Sequence, residues 1–122
     1  MELHKLHQRV RVCKALLSLM GYEHLWGAGG PTSDAKKLLD KYGGPMSKSQ
    51  WILYQVVWYA WGRPAEVKLQ EVMELPAPYG QWVLSLMDAT LRGGTAVEAW
   101  LNQIQKLTSA SGKEPIKLHR LA

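Results

Sequence analysis

Residues 45–62 read PMSKSQWILYQVVWYAWG, and the architecture turns on them. Ser47-Lys48-Ser49-Gln50 is a capping box: the serine hydroxyl takes a free N–H three residues on, and the glutamine side chain reaches back to the serine N–H. Met46 before the cap and Trp51 at the fourth helical position match a hydrophobic staple. Gly62 suits a left-handed stop, with Pro64 just beyond. The signals predict a helix over 48–61. From Trp51 to Trp61 only Gln55 is polar, and five of the eleven residues are Trp or Tyr. A helix apolar around most of its circumference is covered on most sides, so 48–61 is expected at the centre of a bundle. An aromatic run can also cross a membrane or stack on bases. As a helix, 51–61 covers only about 16 Å, and no segment reaches the roughly 18 apolar residues of a span. A buried helix also presents no groove along which bases stack.

Working outward, glycine and proline punctuate a pattern that is helical nearly throughout. Segment 3–20 places Leu3, Leu6, Val10, Cys13, Leu17 and Met20 at steps of three and four, with Val12, Leu16 and Leu19 widening the stripe. Gly21 is its expected stop. Residues 21–33 form a glycine-rich loop, after which Thr32 or Ser33 caps a short helix over 34–42. Residues 66–75 give one or two turns around Leu69, Val72 and Met73, with a short extended piece at 67–69. Pro78 opens a helix over 79–92, whose expected core face is Tyr79, Trp82, Val83, Leu86, Met87 and Leu91. Thr95-Ala96-Val97-Glu98 is a second capping box, leading a helix over 96–107 that buries Val97, Trp100, Leu101, Ile104 and Leu107. No stretch alternates like a strand. The expected fold is all-α: five to six short helices around 48–61 in a single domain of 1–107, then a mobile basic tail over 108–122.

A chain of 122 residues is most simply one domain and long enough to bury a core without disulfides or metal. Phe is absent while Trp occurs six times and Tyr five times, so the large core residues must be Trp, Leu, Met and Tyr. Cys13 is the single cysteine; no internal disulfide can form, which fits a reducing, cytoplasmic setting. No signal peptide is read at the N-terminus, where charge is spread through the first fourteen residues. The net charge of +5 is unevenly placed. Residues 1–14 carry Lys5, Arg9, Arg11 and Lys14 against Glu2, and residues 106–122 carry Lys106, Lys113, Lys117 and Arg120 against Glu114. The residues between hold seven basic and eight acidic side chains. Basic ends on a nearly neutral body suit an acidic partner, protein or nucleic acid, or serve solubility.

The candidate chemical sites are sparse. Gly27-Ala28-Gly29-Gly30-Pro31-Thr32-Ser33 meets a helix start, but the lysine and preceding strand of a phosphate loop are missing, so it reads as a capped loop. His4 and His7 are three apart among cations, without a third ligand at helical spacing; they read as solvated, and no metal or cofactor is expected. His24 and His119 are isolated. Cys13 lies in an apolar stripe and reads as an inert core thiol. No G-x-S-x-G, H-E-x-x-H or C-x-x-C occurs, so a non-enzyme is expected. The pair 34–42 and 48–61 sits like a helix–turn–helix with Lys36, Lys37, Lys41 and Lys48 nearby, yet 48–61 has almost no polar side chains to read base edges.

The order of a capped helix ending Ala60-Trp61-Gly62, a V-x-L-x-E piece (Val67-Lys68-Leu69-Gln70-Glu71) and an amphipathic helix resembles small uncharacterised all-helical proteins carried by bacteriophages, prophages and plasmids. The resemblance covers roughly residues 46–92. It implies an accessory protein of a mobile element, several kinds of which bind and block a host machine, anti-CRISPR proteins among them. It transfers no functional residue. The expected function is therefore stoichiometric binding to a protein or nucleoprotein partner, through Lys5, Arg9, Arg11 and Lys14 and through Lys113, Lys117 and Arg120. Two alternatives are a nucleic-acid-binding accessory protein using the same cations, and a structural protein whose first-helix stripe pairs with a second copy.

Overall fold

The structure, a computed structural model, describes residues 2–42, 44–63 and 67–110, with side chains from 6 to 107. Among them the fold is all-α: α1 (Glu2–Ser18), α2 (Ser33–Asp40), α3 (Lys48–Trp61), α4 (Leu69–Met73), α5 (Tyr79–Arg92) and α6 (Gly94–Ala110).

The central helix has the bounds its caps predict. Ser47 Oγ accepts from Gln50 N–H at 3.2 Å, and Gln50 Oε1 accepts from Ser47 N–H at 3.0 Å. Gly62 adopts φ +114° and donates its N–H to the Trp58 and Tyr59 carbonyls. Leu53, Tyr54, Val57 and Trp58 form its innermost face. The Tyr54 hydroxyl is buried and donates to the Ala35 carbonyl, tying α3 to α2. The helix is not covered all round, however: Tyr59 is exposed, and Trp51, Ile52, Ala60 and Trp61 are half-buried.

α1 packs against α3 on one side and α6 on the other. That double contact explains the width of its stripe, since Val10, Val12, Cys13, Leu16, Leu17 and Leu19 are all buried. From Val10 to Leu19 the stripe is buried inside the fold. Among its described side chains Leu6 stands out at 41% exposure, while that of Leu3 lies outside the described ones.

The segment after α1 differs from the expected loop. A single 3-10 turn (Glu23–Leu25) leads into a two-stranded hairpin, β1 (Trp26–Gly27) and β2 (Gly30–Pro31), pairing Trp26 with Pro31 and Gly27 with Gly30. Strands of two residues are too short to show alternation, which is why no strand was legible. The hairpin drives Trp26 into the core at 2% exposure, edge-on to Trp58 at 5.1 Å and to Trp61 at 5.8 Å between ring centroids. Thr32, rather than Ser33, then caps α2: its hydroxyl accepts from Ala35 N–H and donates to the Leu25 carbonyl.

α5 and α6 form a tight antiparallel pair joined by Gly93. Trp100 is buried between them, its indole N–H donating to the Trp82 carbonyl and to Ser85 Oγ. Two expectations shift here. α6 begins at Gly94, so Thr95 lies within its first turn instead of at its cap, and Glu98 reaches α1. It also runs to Ala110, past the expected end at 107. On α5 the buried face is Tyr79, Gly80, Val83, Leu86 and Ala89; Met87 and Leu91, expected inside, are exposed.

Candidate functional site

The four cations expected to act together on α1 do not share a face. At about 100° per residue, Arg9 lies on the core-facing arc between Leu16 and Cys13, while Arg11 and Lys14 point away from it. Arg9 is accordingly drawn onto the end of α3. Its Nη1 donates to the Trp61 carbonyl at 3.1 Å, and its guanidinium sits 6.0 Å from the Trp61 ring centroid. A cation there answers the free carbonyls and negative end of the α3 dipole. Arg11 turns to α6. Its Nη1 donates to both Glu98 oxygens, at 2.8 and 3.0 Å, and Gln8 Nε2 donates to the same carboxylate at 3.0 Å. Both guanidiniums thus fasten α1 to its neighbours, and Arg11 brings no net charge to the surface.

Lys14 remains an exposed cation. Lys5 belongs to the part of α1 whose side chains are not described, and Lys113, Lys117 and Arg120 lie outside the described residues, as does most of the expected tail. Lys36, Lys37, Lys41 and Lys48 are exposed, but α3 turns its Trp58 and Tyr54 rings inward and between Trp51 and Trp61 carries Gln55 alone as a polar, half-buried side chain.

The remaining candidates resolve into structural roles. The Thr32 hydroxyl at the glycine-rich loop is occupied on both sides by backbone groups, which makes the junction a capped turn. Cys13 is fully buried, its thiol directed at the Val57 carbonyl at 3.5 Å. Burial pushes its pKa up to about 12, against a smaller opposing pull from the Arg9 charge, so the thiol is neutral and sheltered. Among the described residues there is no cluster of three His, Cys, Asp or Glu side chains, and no helix is long and apolar enough to cross a membrane.

The feature that sequence reasoning missed is an open apolar groove of about 460 Å³. Its floor is Val56 of α3, Val72 of α4 and Leu86 of α5; its rim is Tyr59, Leu69 and Met87. The groove exists because α4 has only five residues and buries only Val72, leaving Leu69 58% and Met73 68% exposed. Leu84, Met87 and Leu91 continue the apolar surface along α5 at spacings of three and four. A sequence signal was present: 79–92 carries more apolar residues than one helix face can bury against α6 and α4. Periodicity says which residues share a face, not what stands across from them, so the sequence alone places Met87 and Leu91 in the core. No protein-family model, curated protein or solved structure matches this chain.

Proposed function

We propose that this chain is a small non-enzymatic protein that acts by stoichiometric contact with another protein, through the apolar face of α3, α4 and α5. The observation that carries the reading is the open groove rimmed by exposed Tyr59, Leu69 and Met87, with exposed Leu84 and Leu91 continuing from Met87 along α5 and exposed Met73 one turn on from Leu69 along α4. Monomeric proteins seldom leave so large an apolar patch in water unless something binds there. The specific version is an accessory protein of a mobile element that binds and blocks a host defence complex of the CRISPR type. It draws on the resemblance of residues 46–92 to phage, prophage and plasmid proteins. A cytoplasmic setting accords with a lone reduced thiol.

The test is co-migration with purified nucleoprotein defence complexes at low salt, comparing the natural chain with Leu69→Glu. The expected result is retention by one complex in fixed ratio, lost in the variant. A chain that migrates alone with every complex refutes the defence-inhibitor version. Nucleic-acid binding is the weaker reading because Arg9 and Arg11 are engaged within the fold. Fluorescence anisotropy on duplex and single-stranded oligonucleotides across a salt series checks it; tight binding that falls steeply with salt would restore it.

A further inference from the structure

We infer that in the free protein a second copy of this chain covers the α3–α4–α5 face, forming a two-fold symmetric dimer. The inference rests on the reading of that face as a contact surface and adds its occupant.

Size is the first argument. The six exposed residues of the face range from 44% to 88% exposure. Together they form a patch at the upper end of the roughly 300–600 Å² of the largest patch on an ordinary monomer, and two such faces laid together cover about 1,000 Å², what a specific interface needs.

Shape is the second. Around α5, at about 100° per residue, the order is Leu86, Val83, Met87, Leu91, Leu84. Leu86 and Val83 line the concave groove, whereas Leu91 and Leu84 stand out as a convex ridge, Leu91 at 88% exposure. Met87 belongs to both. A two-fold axis running along α5 beside Met87 lays the ridge of each copy over the groove of the other. One operator then matches convex to concave twice, as an isologous contact requires. An unrelated partner would have to supply both shapes, while this chain already carries them side by side.

Charge is the third. A chain of net charge +5 resists self-association in general. At this face the positive excess is absent: Asp88 and Arg92 beside the ridge are paired at 3.0 Å, and α4 with its flanks contributes Lys68 against Glu71 and Glu74, one negative charge in balance. Two copies approach here against little of the chain's general repulsion.

The test is light scattering on the full chain after size exclusion, from low micromolar to several hundred micromolar. The expected result is the mass of two chains at the upper end. Leu91→Glu on the ridge and Leu69→Glu on the groove rim should each weaken the dimer by at least about tenfold, because each would bury an unpaired carboxylate. Far-UV circular dichroism should be unchanged, since both positions are exposed in the single chain. A single-chain mass at every concentration overturns the inference, and so does a dimer that both variants leave intact. A monomer whose Leu91→Glu variant also stops co-migrating with the defence complex overturns the dimer but keeps the contact face. A dimer weakened by Leu91→Glu with co-migration unchanged supports the dimer and overturns the face as the host contact.

Discussion

Trp58→Ala removes the side chain around which the aromatic core is assembled. The ring is 3% exposed, lies edge-on to Trp26 at 5.1 Å and to Tyr54 at 6.3 Å, and has the Arg63 guanidinium over it at 5.6 Å. Truncating a buried Trp to Ala costs about 3–5 kcal/mol through lost transfer energy and the cavity left behind. Each aromatic edge contact adds roughly 0.5–1.5 kcal/mol beyond its buried area. One factor opposes: the buried Trp58 indole N–H makes no hydrogen bond of standard geometry, its polar neighbour being the Tyr54 hydroxyl, so deleting it relieves at most about 1 kcal/mol. The balance is about 3–7 kcal/mol, a large share of the roughly 5–15 kcal/mol that holds a small domain together. Urea unfolding followed by far-UV circular dichroism measures it. The midpoint should fall sharply with the slope unchanged, as expected when stability alone is altered. Trp58→Phe separates the terms, since it keeps much of the ring packing and discards the indole N–H; its cost should be about 1–2 kcal/mol. An Ala variant that loses less than about 1 kcal/mol refutes the placement of Trp58 at the centre of the core.

Gly30→Ala should destabilise by about 2–4 kcal/mol, combining a positive-φ penalty with overpacking: φ is +116°, and an added Cβ would meet Trp61 ring carbons at 2.5 and 2.6 Å. Gly93→Ala, at φ +112° with open space around it, should show only the backbone share; equal losses in thermal melts would refute the Trp61 contact. A double-mutant cycle on Arg11→Ala and Glu98→Ala should return a coupling of about 0.5–1 kcal/mol that shrinks with added salt, because both side chains are about a third exposed. Cys13 should resist thiol reagents in the native protein at mildly alkaline pH and react fully in urea. Because its folded pKa is raised from 9.0 to about 12, its contribution to stability is whole below pH 9 and is lost as pH rises toward 12. A stability curve flat across that window would refute the buried assignment.

What was legible in the sequence divides by range. The ends of α3 read correctly because a capping box and a left-handed glycine act within four residues of one another. The second capping box misled for the converse reason: Thr95-x-x-Glu98 fits the local pattern, but Glu98 has a stronger partner in Arg11, eighty-seven residues away. On α5 the apolar stripe was right in period and wrong in rotation. Ala89 is buried while Leu91 stands in solvent, because α6 packs against the side that carries the smaller residue. Trp26 gave no signal, since its burial depends on a hairpin whose strands are two residues each.

The sequence by itself determined the all-α class, the capped and aromatic central helix, the absence of an internal disulfide, and a charge gathered at the two ends of the chain. These follow from composition and from interactions reaching only a few residues. The tertiary structure alone decided that Arg9 and Arg11 are fasteners, that Trp26 completes the core, and that α4 leaves a groove open among the described residues. A side chain's burial and partners depend on which element stands opposite it, and that is settled only when all the helices pack at once.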